Sequence, residues 1–293
     1  MLKHVHKALL QAEVITLKSN LLFNVTITTG DAISMEIHDD IGGSWFHVKA
    51  SRFNDLETQF DRYQCARRHY SNLAPEPVTL VRIDGWSIMA TRSIDHRCLI
   101  AQDLGVYSPR KQLIQDLIGF FSAARKLAND NGTLYGHDSL LNELNSYFTK
   151  TRDSSSKVSG FLDTLNAGDL SSIPAIPQHG DFVLNNLGMT HGRLVVFDWE
   201  DYGELMLAGF DIFMLCMSVS GMNGASAMAI AQTEYPDAAP WAFAVPACAV
   251  SELPYDTFRK MVPLYLTAFS YLKRNYGQEI RQRVNCILDD ILS

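Results

Sequence analysis

The sequence predicts a bilobal α+β protein, with a small antiparallel β-sheet in the amino-terminal lobe and a larger, mostly helical carboxy-terminal lobe. Three β-rich runs follow one another in the first lobe, reading NVTITTG, AISMEIHD and WFHVKAS, with short turns rich in glycine and aspartate between them. In the second lobe, apolar residues recur at intervals of three and four, which is typical of helices that bury one face. We place the two lobes at residues 1–92 and 93–293.

Length, composition and charge restrict the class of protein. The 293 residues, of which 47% are hydrophobic, suffice for one large domain or two modest ones. A formal net charge of -7 and the lack of a long Lys/Arg run argue against a dedicated nucleic-acid binder, which must displace phosphate counterions.

No apolar stretch is long enough to span a membrane, and the amino terminus lacks the features of a secretory signal. The five cysteines are scattered and lack C-x-x-C spacing, which is typical of reduced residues. We therefore expect a cytoplasmic protein. The sequence leaves the oligomeric state open.

The amino-terminal lobe should contain about five strands flanked by helices. Residues 1–20 have the pattern of a short amphipathic helix, and residues 54–69 predict a second helix. Residues 77–82 and 86–91 add two strands to the three β-rich runs, which together predict an antiparallel meander. Residues 90–94 then form the linker whose backbone would hydrogen-bond the edge of a purine.

The carboxy-terminal lobe is predicted from several helical patterns. An amphipathic helix is expected over residues 108–129, a second helix over 140–150 and a short one near 161–166. The polar, serine-rich stretch 151–160 predicts an exposed loop. Residues 222–293 are predicted to be helical, with interruptions at prolines.

The residues that carry chemistry are concentrated between Gln178 and Gly203, in the stretch QHGDFVLNNLGMTHGRLVVFDWEDYG. The motif HGD at residues 179–181 is followed, after four further residues, by Asn186, and Asp198 comes after a short predicted hairpin. The kinase catalytic loop H-R-D-x-x-x-x-N has an acid and an amide at this spacing and a second aspartate farther along the chain.

This spacing suits phosphoryl transfer. The protein does little covalent chemistry in this reaction, but the reaction needs a positioned nucleophile and cations that neutralise the phosphate oxygens. A hairpin over residues 184–197 would return the chain, so that Asp198 comes back close to Asn186. Magnesium prefers one or two carboxylates or amides, with phosphate oxygens and water as its other ligands. Asn186 and Asp198 would therefore supply enough protein ligands for a magnesium site.

The segments HGDFVLNN and FDWE resemble the aminoglycoside phosphotransferase and choline kinase family of the protein-kinase-like fold, in which glycine replaces the arginine of H-R-D. The resemblance implies that Asp181 is the catalytic base and that Asn186 and Asp198 bind magnesium. It also implies that His179 is a structural anchor of the loop. Glu200 matches an accessory acid of the same family.

Asp211 opens the apolar helix that follows the FDWE segment. In the resembled family, an aspartate at this place holds the catalytic loop through hydrogen bonds to its backbone, which implies structural support as the role of Asp211. The alternative is a helix-capping aspartate, and both interpretations put the residue at the same spot.

Residues that bind the nucleotide are predicted in the first lobe. Lys49 lies near the end of the third β-rich run, where the V-A-I-K strand of kinases places the lysine that binds the α- and β-phosphates. Glu57 lies in the first turns of the following helix, placed to pair with Lys49, although Asp55 and Asp61 compete for that role. The alternatives are a solvated strand lysine and a helix amino-terminal charge. Gly30 is the single glycine where a kinase has its G-x-G-x-x-G loop.

The function predicted from these residues is that of a small-molecule kinase. It would use ATP (or GTP) and Mg2+ to phosphorylate a hydroxyl of an aminoglycoside, a sugar, a choline-like compound or an amino alcohol. A protein substrate fits less well, because the chain lacks an A-P-E segment and a long activation loop after Asp198. One alternative is a degenerate kinase-like protein that binds nucleotide or a partner without transfer. Another is a metal-dependent hydrolase that uses Asp181, His179 and Asp198.

Overall fold

The computed structural model describes residues 2–13, 15, 21–27, 32–39, 44–53, 55–105, 110–131, 140, 142–144, 146–147, 161, 173–275 and 278–291. The chain divides into two compact units. Unit 1 comprises Met1–His96 and Val195–Glu200, and unit 2 comprises Arg97–Leu194 and Asp201–Ser293. Residues 195–200 lie beyond the boundary drawn from the sequence and yet group with unit 1.

Unit 1 combines helices with an antiparallel sheet. Its elements, in chain order, are α1 (Leu2–Gln11), β1 (Leu21–Ile27), β2 (Ala32–Asp39), β3 (Ser44–Ser51), α2 (Leu56–His69), β4 (Pro77–Ile83) and β5 (Trp86–Arg92). The strands form a single sheet in the order β1-β2-β3-β5-β4, and each neighbouring pair is antiparallel.

The sheet has the predicted antiparallel architecture, but the expectation of a simple meander is wrong. β3 pairs with β5, and β4 lies outside β5 at the edge. Helix α2 lies between β3 and β4 in the chain, so these two strands are not joined by a tight turn and need not be neighbours. Asp84 and Gly85, with φ of 51° and 80°, form a tight turn that closes β4 and β5 into a hairpin. The chain thus reaches the edge strand β4 first and returns through β5 beside β3.

The two faces of the sheet differ in chemistry. On β3, the side chains of Phe46, Val48 and Ala50 are buried in a hydrophobic core that also includes buried residues of α1. Because successive side chains of a strand point to opposite faces, His47 and Lys49 lie on the other face. This alternation keeps the lysine out of the core.

Helix α2 begins at a capping side chain. Asp55 accepts hydrogen bonds from the backbone N–H groups of Glu57 and Thr58, each at 3.1 Å, which satisfies two donors that have no partner within the helix. The helix was expected from residue 54; it begins at Leu56, and residue 54 lies outside the described residues.

Unit 2 is mostly helical. Its elements, in chain order, are β6 (Arg97–Cys98), α3 (Ala101–Leu104), α4 (Lys111–Asn131), β7 (Leu187–Thr190), β8 (Arg193–Val196, whose last two residues belong to unit 1), α5 (Phe210–Ser220), α6 (Gly224–Gln232), α7 (Ala244–Val250), α8 (Tyr255–Lys260), α9 (Val262–Leu272) and α10 (Gln278–Ile291). The strands form a small sheet in the order β6-β7-β8. Single 3-10 turns occur at Leu184–Asn186, Trp199–Asp201, Pro236–Ala238 and Lys273–Asn275.

The predicted helix at 108–129 corresponds to α4. The helices predicted over 140–150 and 161–166 and the loop predicted over 151–160 fall mostly outside the described residues. Among the helices that the structure describes, none combines the length and the hydropathy needed to cross a membrane.

A buried carboxylate joins α4 to the start of β8. Asp116, 7% exposed, accepts hydrogen bonds from the Arg193 guanidinium at 2.9 Å, the Leu194 backbone N–H at 3.0 Å and the Gln112 side chain at 2.9 Å. Burial by itself would raise the pKa of Asp116, but these three donors outweigh burial and hold the pKa below its ordinary range.

Replacing Asp116 with asparagine should lower the free energy of unfolding at neutral pH by about 1–3 kcal/mol, because buried donors lose a charged acceptor. The pKa of Asp116 is lower in the folded than in the unfolded protein. Its stabilisation is therefore present above the ordinary pKa of about 4 and is lost as the pH falls below that value. Urea unfolding of both proteins from about pH 7 to about pH 3 measures this. A difference in stability that stays constant down to the lowest pH would contradict the assignment.

Candidate active site

The loop that carries the HGD motif is held by a buried carboxylate. Asp211, 2% exposed, accepts hydrogen bonds from the backbone N–H groups of His179 and Gly180, at 2.6 and 3.0 Å. Its own backbone N–H donates to the side-chain oxygen of Gln178 at 2.9 Å. Burial raises the pKa of Asp211 to about 7; the two N–H donors oppose this rise, and the charge of Asp181 adds to it.

Residues 178–186, which we call the HGD loop, need glycine at their third position. Gly180 has a φ of +90°, and a Cβ atom there would lie 2.6 Å from the Cβ atom of Asp201. Both the backbone conformation and the close approach exclude a side chain. His179 is buried beside it, with its ring edge-on to Phe182 at 5.7 Å between centroids.

Asp181 and Asn186 are tied together within the HGD loop. The side-chain amide of Asn186 donates to the backbone oxygen of Asp181 at 2.9 Å, which leaves the amide oxygen as a potential ligand. The turn between them is held from α5, because the Leu184 backbone N–H donates to the Ser218 hydroxyl at 3.0 Å. The Asp181 side chain is 27% exposed, so a small molecule can reach its carboxylate.

A lysine from the carboxy-terminal part of unit 2 contacts this loop. The ammonium of Lys273 lies 3.4 Å from a carboxylate oxygen of Asp181 and 3.1 Å from one of Asp201. The Lys273 side chain is 9% exposed. A cation is therefore buried directly beside the acid of the HGD motif.

In unit 1, the partner of Lys49 differs from the expected one. Lys49 forms an ion pair with Glu200, and the two side chains are 12% and 17% exposed. Glu57 instead pairs with Arg82 at 2.9 Å, and its side chain is 52% exposed. The predicted pairing of Lys49 with Glu57 is thus wrong. Glu57 lies in the first turn of α2, next to the helix cap, where its side chain faces solvent and β4.

The return segment, residues 195–200, is anchored on α2 and the residue after it. The Trp199 ring stacks on the Tyr70 ring with 5.3 Å between centroids. The Arg62 guanidinium donates to the backbone oxygen of Glu200. Packing and hydrogen bonding together hold Glu200 where it meets Lys49.

Asp198 has an unusual backbone within this segment. Its φ of 58° is in the left-handed region, which residues other than glycine seldom adopt. The hydroxyl oxygen of Tyr63 accepts hydrogen bonds from the backbone N–H groups of Asp198 and Trp199. Burial together with the Asp198 charge raises the pKa of Tyr63. Contacts from α2 thus support the strained residue.

A pocket of about 280 Å³ within unit 1 brings these charged groups together. Lys49, Asp198 and Glu200 line it, together with His47. His47 Nε2 lies 2.6 Å from the hydroxyl oxygen of Ser34. Burial, followed by the nearby Lys49 charge, lowers the pKa of His47, so its ring is neutral at pH 7.

The pocket extends to the predicted purine-binding linker. Thr91, Arg92 and Ser93 line one side of it. A second cavity, of about 620 Å³, shares Arg92 and Ser93 and is also lined by Trp45. The linker therefore lies in the wall of both cavities.

One predicted nucleotide-binding residue, Gly30, lies outside the described residues, so its role in a phosphate loop stays a prediction. Within the part of the chain that the structure describes, no group of three or more His, Cys, Asp or Glu side chains is placed to hold a metal ion.

Sequence reasoning missed Lys273, Asp201 and Arg62. The glycine of the HGD motif was a usable signal for a residue such as Asp201, because a loop often has glycine where a neighbouring residue packs too close for a side chain. Nothing in the spacing relates Lys273 to residue 181. Arg62 acts through a backbone oxygen, which leaves no side-chain pattern.

Glu200 and Glu57 make a matched pair of substitutions. Glu200→Gln should lower the free energy of unfolding by about 1–3 kcal/mol, because it removes a charged partner from the mostly buried Lys49. Glu57→Gln should change it by less than about 0.5 kcal/mol, because its ion pair is exposed to solvent. Urea unfolding compares the two. Equal losses would mean that the Lys49–Glu200 pair contributes nothing beyond an exposed one.

Gly180→Ala and Gly192→Ala separate backbone strain from steric contact. Both glycines have positive φ, but a Cβ at Gly192 would meet nothing within 4 Å. Alanine at residue 192 should cost about 1–2 kcal/mol of unfolding free energy from backbone strain. Alanine at residue 180 should cost about 1–3 kcal/mol more, because Asp201 must move. Thermal unfolding of the two variants measures the difference, and identical values would exclude the contact with Asp201.

Comparison with known proteins shows the fold. No family model matches the sequence, and no curated protein matches it. Solved structures do match. An ethanolamine kinase from Plasmodium vivax has a TM-score of 0.63 at 13% identity, over 98% of this chain and 87% of that chain. The aminoglycoside phosphotransferase APH(4)-Ia has a TM-score of 0.59 at 14% identity, over 100% and 98%. A choline kinase from Cryptosporidium parvum has a TM-score of 0.54 at 11% identity, over 93% and 88%.

Some of these matches contain ligands. A thermostable mutant of the aminoglycoside phosphotransferase, with a TM-score of 0.58, forms a ternary complex with AMP-PNP and hygromycin B. A second mutant forms one with ADP and hygromycin B. The predicted fold class is confirmed: the chain has the protein-kinase-like fold of ethanolamine kinase, choline kinase and aminoglycoside phosphotransferase.

Proposed function

We propose that the chain is a small-molecule kinase, which transfers the γ-phosphoryl group of ATP to a hydroxyl group of a small acceptor. The observation that carries the proposal is the HGD loop, in which Asp181 presents a partly exposed carboxylate while Asp211 fixes the backbone on its amino-terminal side. A general base needs such a fixed and reachable position. The fold shared with small-molecule kinases supports the same conclusion.

The nucleotide is proposed to bind the pocket of unit 1. Lys49 would contact its phosphates, and the ion pair with Glu200 holds the long lysine side chain in one arrangement before the nucleotide arrives. Holding it reduces the ordering cost of binding. The complexes of the aminoglycoside phosphotransferase with ADP and AMP-PNP support a nucleotide ligand here.

Asn186 and Asp198 are proposed to hold Mg2+. The amide nitrogen of Asn186 is engaged with the Asp181 backbone, so its oxygen is the atom left for a metal, and Asp198 offers a carboxylate in the nucleotide pocket. Two protein oxygens are a common share for Mg2+, which prefers oxygen donors. When bound, the ion supplies positive charge that neutralises phosphate oxygens.

Asp181 is proposed to act as the base. Its carboxylate orients the acceptor hydroxyl and takes the hydroxyl proton as the oxygen attacks the γ-phosphorus. The bond between that phosphorus and the bridging oxygen breaks, and ADP leaves with the electron pair. Asp211 contributes by fixing the backbone from which Asp181 projects.

The acceptor is proposed to be a small hydroxyl compound. Ethanolamine kinase, choline kinase and a phosphotransferase bound to hygromycin B share the fold, and each name points to a small molecule. The first acceptors to examine are therefore ethanolamine, choline, hygromycin B and simple sugars.

Asp181→Ala tests the assignment. Turnover of ATP with Mg2+ and an accepted substrate should fall by about 10²–10⁴-fold, which is the usual contribution of a general base. Stabilisation of the protein against heat by ATP should persist, because the residue is not proposed to bind the nucleotide. The measurement is ADP release over the acceptor panel, with GTP as a second donor.

Asp290→Ala is the matched control, since it removes an exposed carboxylate of α10 and should leave turnover unchanged. Full activity of Asp181→Ala would refute the base. A parent protein that ATP stabilises but that phosphorylates no acceptor would instead favour the nucleotide-binding alternative.

A further inference from the structure

Lys273 is a buried cation beside the proposed base. It opens the turn Lys273–Asn275 that follows α9, and its side chain is 9% exposed. An ammonium group loses strong hydration when it is buried, so proteins keep such a lysine where charged partners compensate for the loss. Neither the sequence motifs nor the reaction proposed above gives Lys273 a role.

Its contacts connect two carboxylates. The ammonium lies 3.4 Å from Oδ2 of Asp181 and 3.1 Å from Oδ2 of Asp201. Both distances are within reach of a charge-assisted interaction, and the partners are 27% and 17% exposed. Lys273 thus offsets the repulsion between the two acids that it contacts.

Asp201 is itself fixed against the HGD loop. Its Cβ atom occupies the space that a side chain at Gly180 would need, 2.6 Å from the ideal Cβ position. Its backbone oxygen accepts a hydrogen bond from the Glu204 N–H at 3.1 Å. The second anchor of Lys273 therefore belongs to the same packed structure as the loop that carries Asp181.

The lysine is also held from the helix before it. Helix α9 is buried along most of its length, and the Tyr265 hydroxyl donates to the backbone oxygen of Ala208 at 3.0 Å. The turn at the end of such a helix has little freedom. The position of the Lys273 backbone is therefore set independently of Asp181.

We propose that Lys273 is a positioning residue for Asp181. By engaging Oδ2, it fixes the rotation of the carboxylate and leaves Oδ1 to face the acceptor hydroxyl. A carboxylate on a loop, 27% exposed, would otherwise sample several rotamers. This inference rests on the proposed function for the reaction that Asp181 serves, but the contact itself is independent of that reaction.

A purely structural lysine would behave differently. If Lys273 served only to neutralise Asp201, its removal would lower stability and leave the turnover of the folded protein intact. A positioning role predicts a loss in kcat, with little change in KM for ATP, because the nucleotide is proposed to bind through Lys49.

Lys273→Met removes the charge and keeps an unbranched side chain. We expect kcat to fall by about 10²-fold, the usual consequence of a misplaced catalytic group, and KM for ATP to stay within about twofold. Lys260→Met is the matched control, because Lys260 is 61% exposed on α8 and should leave both constants unchanged. A kcat of Lys273→Met within about threefold of the parent would overturn the inference.

If Lys273→Met does not fold, Lys273→Arg replaces it as the test. The arginine keeps the charge, so this variant should retain at least about a tenth of the parent kcat. A folded arginine variant without turnover would count against the proposal.

A second measurement does not depend on turnover. Unfolding midpoints in urea are compared for the parent, Lys273→Met, Asp181→Asn and the double variant. The shifts should be non-additive, since removing one partner makes the other matter less. Additive shifts would overturn the inference even in an active enzyme. If the parent phosphorylates no acceptor, the proposed function fails. The comparison of the four unfolding midpoints still decides whether Lys273 holds Asp181.

Discussion

The HGD loop of unit 2 depends on one buried carboxylate, that of Asp211. Two backbone N–H groups of the HGD loop converge on it, and its own N–H donates to Gln178. Burying a charge is costly, and such a group is tolerated where its hydrogen bonds are satisfied. The same bonds fix the backbone directly before Asp181, where the N–H groups of His179 and Gly180 find their acceptor in a side chain and not in a helix or strand. The same carboxylate thus contributes to stability and fixes the backbone from which the proposed base projects.

Unit 1 has a corresponding constraint in the return segment, residues 195–200. The stacking of Trp199 on Tyr70 and the hydrogen bond from Arg62 fix the backbone around Glu200, which then pairs with Lys49. The strained φ of Asp198 persists because neighbouring contacts determine it. In both units, then, a charged side chain is oriented by groups that would take no part in chemistry.

The sequence predicts local features well and distant pairings poorly. Alternating β-rich runs and helical periodicity depend on neighbouring residues, so the sheet of unit 1 and helix α4 could be predicted. The order of β4 and β5 could not, because it depends on which strand reaches β3 after a hairpin closes. The partner of Lys49 was misassigned for a similar reason. Glu57 was favoured by its nearness in the chain, whereas Glu200 reaches Lys49 through the fold. Lys273 and Asp181 are distant in the chain and come into contact only in the folded structure, so no sequence motif relates them.

The discontinuity of unit 1 has a consequence for biosynthesis. Residues 97–194 are made between the two pieces of this unit, which at typical elongation rates takes on the order of 5–20 s. Until residue 200 has been made, neither the stacking of Trp199 on Tyr70 nor the ion pair between Lys49 and Glu200 can form. Unit 1 is therefore completed only after the first part of unit 2 has been synthesised.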